Sequence, residues 1–190
     1  DIKAPDCFTV ERICRERMKI PVFHDDQHGT AIVAAAAAVN AVQIAGKRMA
    51  DIRIVALGAG AAGIACLKML ISMGAKPGNI LMLDSKGVVH SARNDLSAEK
   101  AEFARDTPLR TTDEAMDGAD LFLGVSGPGL LTGAMVAKMT VPAGFASVAQ
   151  AATIDAGSGT CSRSSMQVIT SKRAGFSMRC MAQASTRTTS

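Results

Sequence analysis

Ile52-Arg53-Ile54-Val55-Ala56-Leu57-Gly58-Ala59-Gly60-Ala61-Ala62-Gly63-Ile64 is the stretch on which the fold turns. Ile52 to Leu57 are apolar at every position except Arg53, the pattern of a short strand buried on both faces. The six residues that follow have the form G-x-G-x-x-G, and an apolar run from Ile64 to Met73 leaves them before Gly74 closes it. Each glycine has a physical task in such a turn. Gly58 permits the tight bend, Gly60 lets the backbone approach a pyrophosphate, and Gly63 lets the helix pack on the strand. Behind the turn, the start of the helix supplies unpaired N–H groups and the positive end of its dipole.

A second apolar strand, Ile80 to Leu83, ends on Asp84 about 25 residues past the glycines, where a dinucleotide-binding unit places an acidic residue. Asp84 can accept from a ribose 2′-hydroxyl, which favours NAD. Ser85 and Lys86 follow at once, and a hydroxyl with an ammonium can hold the 2′-phosphate of NADP. Spacing alone leaves both open.

Outward from this core the alternation continues. The spacing predicts an amphipathic helix over 97–105, with Ser97 as cap and Glu99 and Lys100 on its outer face. It then predicts a helical turn at 113–116, a strand at 120–125 and a helix at 132–139. Upstream, residues 3–20 read as a short helix and Pro21-Val22-Phe23 as a strand-like run. Thr30 is expected to cap an alanine-rich helix over 31–46 that stops at Gly46. This grammar predicts an α/β fold: a Rossmann-like parallel sheet with helices on both faces, incomplete, with an irregular C-terminal tail.

The net charge of +4 is not a nucleic-acid signal. Acidic and basic residues cancel up to Thr140, and the excess lies in Arg163, Lys172, Arg173, Arg179 and Arg187 against Asp155. No unbroken apolar run reaches the roughly 18 residues of a membrane span. Cys7, Cys14, Cys66, Cys161 and Cys180 are scattered and odd in number, as expected of reduced thiols in a cytoplasmic protein. Neither nucleic acid nor membrane is therefore expected as a partner.

Asp25 and Asp26 stand together in His24-Asp25-Asp26-Gln27-His28-Gly29-Thr30. Adjacent carboxylates suit a hard cation such as Mg²⁺ or Mn²⁺. They also suit a solvated loop or a helix cap, and residue chemistry alone favours the latter.

Several segments together resemble one family. The run Ile20 to Ala31 (IPVFHDDQHGTA) is similar to the segment that malic enzymes carry just before their cofactor domain, and Asp1 to Pro5 (DIKAP) is similar to the family's metal-binding stretch. GAGAAG at 58–63, LDSKGV at 83–88 and GADLFLGVSGP at 118–128 follow in the family's order, so the resemblance covers about residues 1–140 and is strongest to the bacterial NADP-dependent branch. It implies oxidative decarboxylation of (S)-malate to pyruvate and CO₂ with reduction of NADP⁺, in a metal-dependent homo-oligomer. It further implies that Asp26 and Asp1 are metal ligands and that Asp25 is an acidic neighbour assisting proton transfer. Ala59 to Ala62 would hold the pyrophosphate, and Ser126 would lie near the nicotinamide. His24 and His28 are expected beside the metal site or in packing, since the family's ligands are carboxylates. The implied organisation is a remnant of the metal and substrate region over 1–30, an NAD(P)-binding domain over 31–140 and an atypical segment over 141–190.

The departures are specific. The family's general acid is a tyrosine, and this chain has no Tyr; the expected general-base lysine and the glutamate ahead of Asp1 have no counterpart here. After Thr140 the expected strand and Asn-Pro pair are replaced by TVPAGFASVAQAATIDAG, and no Asn follows Asn94. The expectation is a fragment with impaired or no activity; a non-catalytic NAD(P)-binding module is the alternative. Residues 141–190 read either as a disordered segment or as one translated out of frame. On the second reading, the other two frames of the encoding DNA are expected to restore an Asn-Pro segment. If no frame contains one, the tail did not arise by a shift.

Overall fold

The computed structural model describes residue 2, residues 5–127 and residues 130–140, together with the backbone of two strands at 143–147 and 167–171. Helix α1 (Asp6–Arg17) and the long α2 (Asp25–Ile44) precede a run of β1 (Ile54–Leu57), α3 (Ala61–Ser72), β2 (Ile80–Asp84) and β3 (Gly87–Val88). Then come α4 (Ala98–Ala101), α5 (Thr112–Ala115), β4 (Leu121–Gly124), α6 (Gly133–Ala137), β5 (Ala143–Ser147) and β6 (Gln167–Ser171). The sheet order is β3-β2-β1-β4-β5-β6, with β2, β1, β4 and β5 parallel and both edge strands antiparallel.

The two-sided burial expected of β1 is present at every residue. Ile54 and Ala56 join Ile80, Met82, Leu121 and Leu123 under α2 and α3, while Val55 and Leu57 join Leu83 and Phe122 against Met116 and Met139. Alternate side chains point to opposite faces of a strand, so a continuous apolar run is what a sheet covered on both sides requires.

Three expectations change. The alanine-rich helix begins at Asp25, not after Thr30, with His24 in the extended conformation as its N-cap residue. Two carboxylates in the first turn favour a start there by complementing the helix dipole. Gly29 is accommodated because the Asp25 carboxylate folds back over it; a Cβ on Gly29 would lie 2.1 Å from Asp25 Oδ1. Secondly, Pro21 to Phe23 form no strand. The sheet also continues past Thr140, where two strands lie within the segment that the sequence marks as atypical. β5 adds to β4 in parallel register and β6 adds to β5, so that the free N–H and C=O groups along the edge of β4 are paired. Thirdly, the helix expected over 97–105 is shorter, although Ser97 does cap it by accepting from the Lys100 amide. Gly46 stops α2 as expected, in the left-handed region at φ 67°.

One polar clamp closes the end of the sheet opposite the glycine turn. Asp120, at the start of β4, accepts from Lys47 Nζ and, at 2.7 Å, from the Arg53 amide. Lys47 also donates to Thr140 Oγ1 at 2.8 Å. Burial pushes the Asp120 carboxyl upward, but Lys47, Thr140 and the Arg53 amide outweigh it and leave the group below the ordinary range. A depressed folded value means stability that is present above the unfolded carboxylate value near 3.9 and lost as pH falls through the folded value. Asp120→Asn is expected to lower unfolding free energy by about 2 kcal/mol at pH 7. The gap between the two proteins should narrow as pH falls below the unfolded carboxylate value and close once pH passes the depressed folded value of Asp120, as checked by urea melts across pH.

Candidate nucleotide site

Three strand ends meet at one cleft of about 580 Å³, lined among others by Gly58, Ala59, Gly60, Asp84, Ser85 and Ser126. The position follows from topology. From β1 the chain moves outward to β2 and β3, then returns to place β4 on the other side of β1. That reversal opens a crevice at the carboxyl ends of β1 and β4, where doubly wound sheets bind ligands.

The three glycines of the turn have separate roles. Gly58 has φ +125°, and a Cβ there would meet Val125 Cγ2 at 2.8 Å and the Val125 carbonyl oxygen at 2.9 Å. Gly63 is tighter still, since its Cβ would fall 1.8 Å from the Gly58 carbonyl oxygen. Gly60 is different: its φ of −90° suits any residue, and its Cβ would meet no atom of the described residues within 4 Å. Nothing among the described residues demands glycine at 60, and the space beside it opens onto the cleft. Behind it, the first bond of the α3 ladder runs from the Ile64 amide to the Gly60 carbonyl at 3.0 Å. The amides of Ala61, Ala62 and Gly63 therefore lie outside the ladder, and no side chain caps them. The helices α4, α5 and α6 are instead capped by Ser97, Thr111 and Thr132.

At the end of β2, Asp84 is held by Arg93, which the sequence reading did not single out, and by Lys100, which it placed on an outer face. Arg93 grips its two oxygens at 2.9 and 3.0 Å, Lys100 donates at 2.8 Å, and the Lys86 amide donates at 2.9 Å. The Asp84 side chain is 8% exposed. Burial alone would raise its pKa, but Arg93 and Lys100 hold the carboxyl far below the usual carboxylate range. The Lys86 ammonium turns to Asp95 at 2.6 Å, while Lys100, expected on an outer face, lines the cleft. Arg93 bridges Asp84 and Asp95. A basic residue nine positions past a strand-end aspartate was the available signal, with no period to mark it.

The acidic pair lies in a second cleft, of about 360 Å³, lined by Ile2, Glu11, Phe23, His24, Asp25 and Asp26 among others. Both carboxylates are exposed, in the first turn of α2. Asp1 lies outside the described residues. Among the described residues no group of three His, Cys, Asp or Glu side chains is gathered for a metal. One or two water-exposed carboxylates do fit a hard cation that keeps most of its own waters, and do not fit a closed zinc-type shell. His24 and His28 are engaged with Gln27 and Glu11.

Substitution separates the two kinds of glycine. Gly63→Ala is expected to destabilise the fold by about 1–3 kcal/mol, because backbone must move. Gly60→Ala should leave the melting curve unchanged and weaken NADP(H) binding at least tenfold, read by nucleotide fluorescence. Equal nucleotide affinity in Gly60→Ala and the unaltered chain would remove Gly60 from the site.

Comparison with known proteins agrees with this geometry. The model of the malic enzyme NAD-binding domain matches residues 27–142. The chain is 58% identical over 139 residues to an NADP-dependent malic enzyme of Halomonas elongata, covering 73% of this chain and 33% of the relative. It is 51% identical over 140 residues to an NAD-dependent malic enzyme of Rhizobium meliloti, covering 73% of this chain and 18% of the relative. The chain thus spans a third or less of the length of these curated relatives. The crystal structure of Entamoeba histolytica malic enzyme superposes with a TM-score of 0.71 at 35% identity, over 75% of this chain and 32% of that one. With its glycine turn, its sheet order and these matches in agreement, the chain belongs to the malic enzyme family and carries that family's NAD-binding domain.

Proposed function

We propose that the chain is the nucleotide-binding part of an NADP-dependent malic enzyme, which oxidises and decarboxylates (S)-malate to pyruvate and CO₂. The observation that carries the cofactor choice is the state of Asp84. A free carboxylate at the end of β2 would repel a 2′-phosphate and favour the ribose hydroxyls of NAD. Here its charge is covered by Arg93 and Lys100, and with Lys86 the cluster sets three cations against Asp84 and Asp95. The net positive charge beside Ser85 suits a phosphate. Relatives of both cofactor types resemble the chain, so this local charge is the deciding argument.

The amides at the start of α3 hold the pyrophosphate, with Gly60 giving it room, and Ser126 lies toward the nicotinamide end. In the second cleft Asp26, with Asp1, is assigned as a ligand of Mg²⁺ or Mn²⁺, and Asp25 as the neighbour that assists proton transfer. When bound, such a cation acts as a Lewis acid on the C2 oxygen of malate. No Tyr is present to serve as the general acid, so the chain by itself binds the nucleotide without turning malate over. The family resemblance further suggests a cytoplasmic homo-oligomer; no helix among the described residues is long and apolar enough to cross a membrane.

The test is a pair of nucleotide titrations beside a malate-dependent absorbance assay with Mn²⁺. Lys100→Ala is expected to weaken NADPH binding about tenfold, close to 1.4 kcal/mol, and to change NADH binding less than twofold. Equal losses for both nucleotides would refute the 2′-phosphate assignment. Turnover by the unaltered chain would show that another group takes the tyrosine's place.

A further inference from the structure

The acidic pair is bracketed by residues that a different helix holds. Glu11 on α1, with a side chain only 11% exposed, pairs with His28 Nε2 at 2.6 Å and accepts from Gln27 Nε2 at 3.0 Å. Gln27 is 4% exposed and is the one buried polar residue among the described residues. Its Nε2 also lies 2.7 Å from His24 Nδ1. His24 stands immediately before Asp25, and Gln27 and His28 stand immediately after Asp26. One carboxylate thus ties the residues after Asp25-Asp26 directly and His24 before them through Gln27. The remaining charged contact of Glu11 is Arg15, one turn along the same helix at 3.7 Å.

We infer that Glu11 is a positioning residue for the acidic pair: it fixes the first turn of α2, and so the direction in which Asp25 and Asp26 present their carboxylates. This rests on the proposed reading of Asp26 as a metal ligand, but its structural half stands without it. The first turn of α2 needs such a tie, because no side chain caps the helix and the residues leading into it, Met18 to Phe23, belong to no helix or strand. Removing the Glu11 carboxylate would leave a buried amide and an imidazole short of a partner. Glutamine at the same position can still accept from Gln27 and can donate to His28, so geometry and charge are separable.

The experiment uses the full chain with Glu11→Ala, Glu11→Gln and Asp26→Asn, measured by amide hydrogen exchange, Mn²⁺ titration by electron paramagnetic resonance, and NADPH fluorescence. Glu11→Ala is expected to speed exchange at residues 24–28 at least tenfold, to weaken Mn²⁺ binding at least fivefold, and to leave residues 34–42 and NADPH affinity unchanged. Glu11→Gln should stay within twofold of the unaltered chain on every readout. Unchanged exchange at 24–28 in Glu11→Ala overturns the inference. So does a Glu11→Gln variant as impaired as Glu11→Ala, since charge would then be the cause, and so does a loss of NADPH binding, since the role would then be general folding. If Asp26→Asn binds Mn²⁺ as well as the unaltered chain does, the ligand assignment of Asp26 fails, and the exchange data alone decide on Glu11.

Discussion

Gly63 and the carbonyl of Gly58 approach so closely that a single added carbon would sit 1.8 Å from the oxygen. That contact sets the pitch of α3 against β1, and much else is arranged around it. Because the helix starts directly on the strand end, its first three amides face outward and not into a loop. Val125 fills the remaining space against Gly58, which locks the end of β4 to the same turn. The cleft is the consequence: three strand ends held at fixed separation by backbone packing, with an uncapped helix start at their centre.

The polar groups around that cleft obey a different balance. Burying Asp84 costs desolvation, and the cost is met by a two-pronged arginine and a lysine. The result is a carboxylate that gathers cations at the edge of the cleft. Asp25 and Asp26 are the opposite case, exposed and without a described ion pair. Two acidic groups in one chain therefore differ in charge environment because their burial and ion pairing differ. The charge of Asp84 is spent internally, whereas that of Asp25 and Asp26 remains available.

Strand β1, the glycine turn, α3 and strand β2 were legible from residue order because each depends on near neighbours. An apolar run, three glycines at fixed spacing and a terminating Gly74 carry their meaning locally. The start of α2 was not legible. Thr30 is a better cap by residue type than His24, but two first-turn carboxylates and the tie from Glu11 to Gln27 and His28 favour the earlier start. Glu11 sits 16 residues from Gln27, and no helical or strand period connects them. Lys100 was misplaced for the same reason: on a short helix its exposure depends on what lies across the loop, and there it finds Asp84. The strands at 143–147 and 167–171 were likewise hidden, since a weak strand becomes one only when an open edge accepts it.

Sequence by itself determined the fold class and the glycine turn between β1 and α3, because backbone sterics and hydrophobic periodicity act over a few positions. Tertiary structure decided which of those residues are free to act. It tied Lys86 to Asp95, covered Asp84, left Gly60 facing open space and placed Asp25-Asp26 in a separate cleft under the hold of α1. Such pairings depend on which charges folding brings within about 3 Å of each other across long sequence separations, and no local pattern encodes that distance.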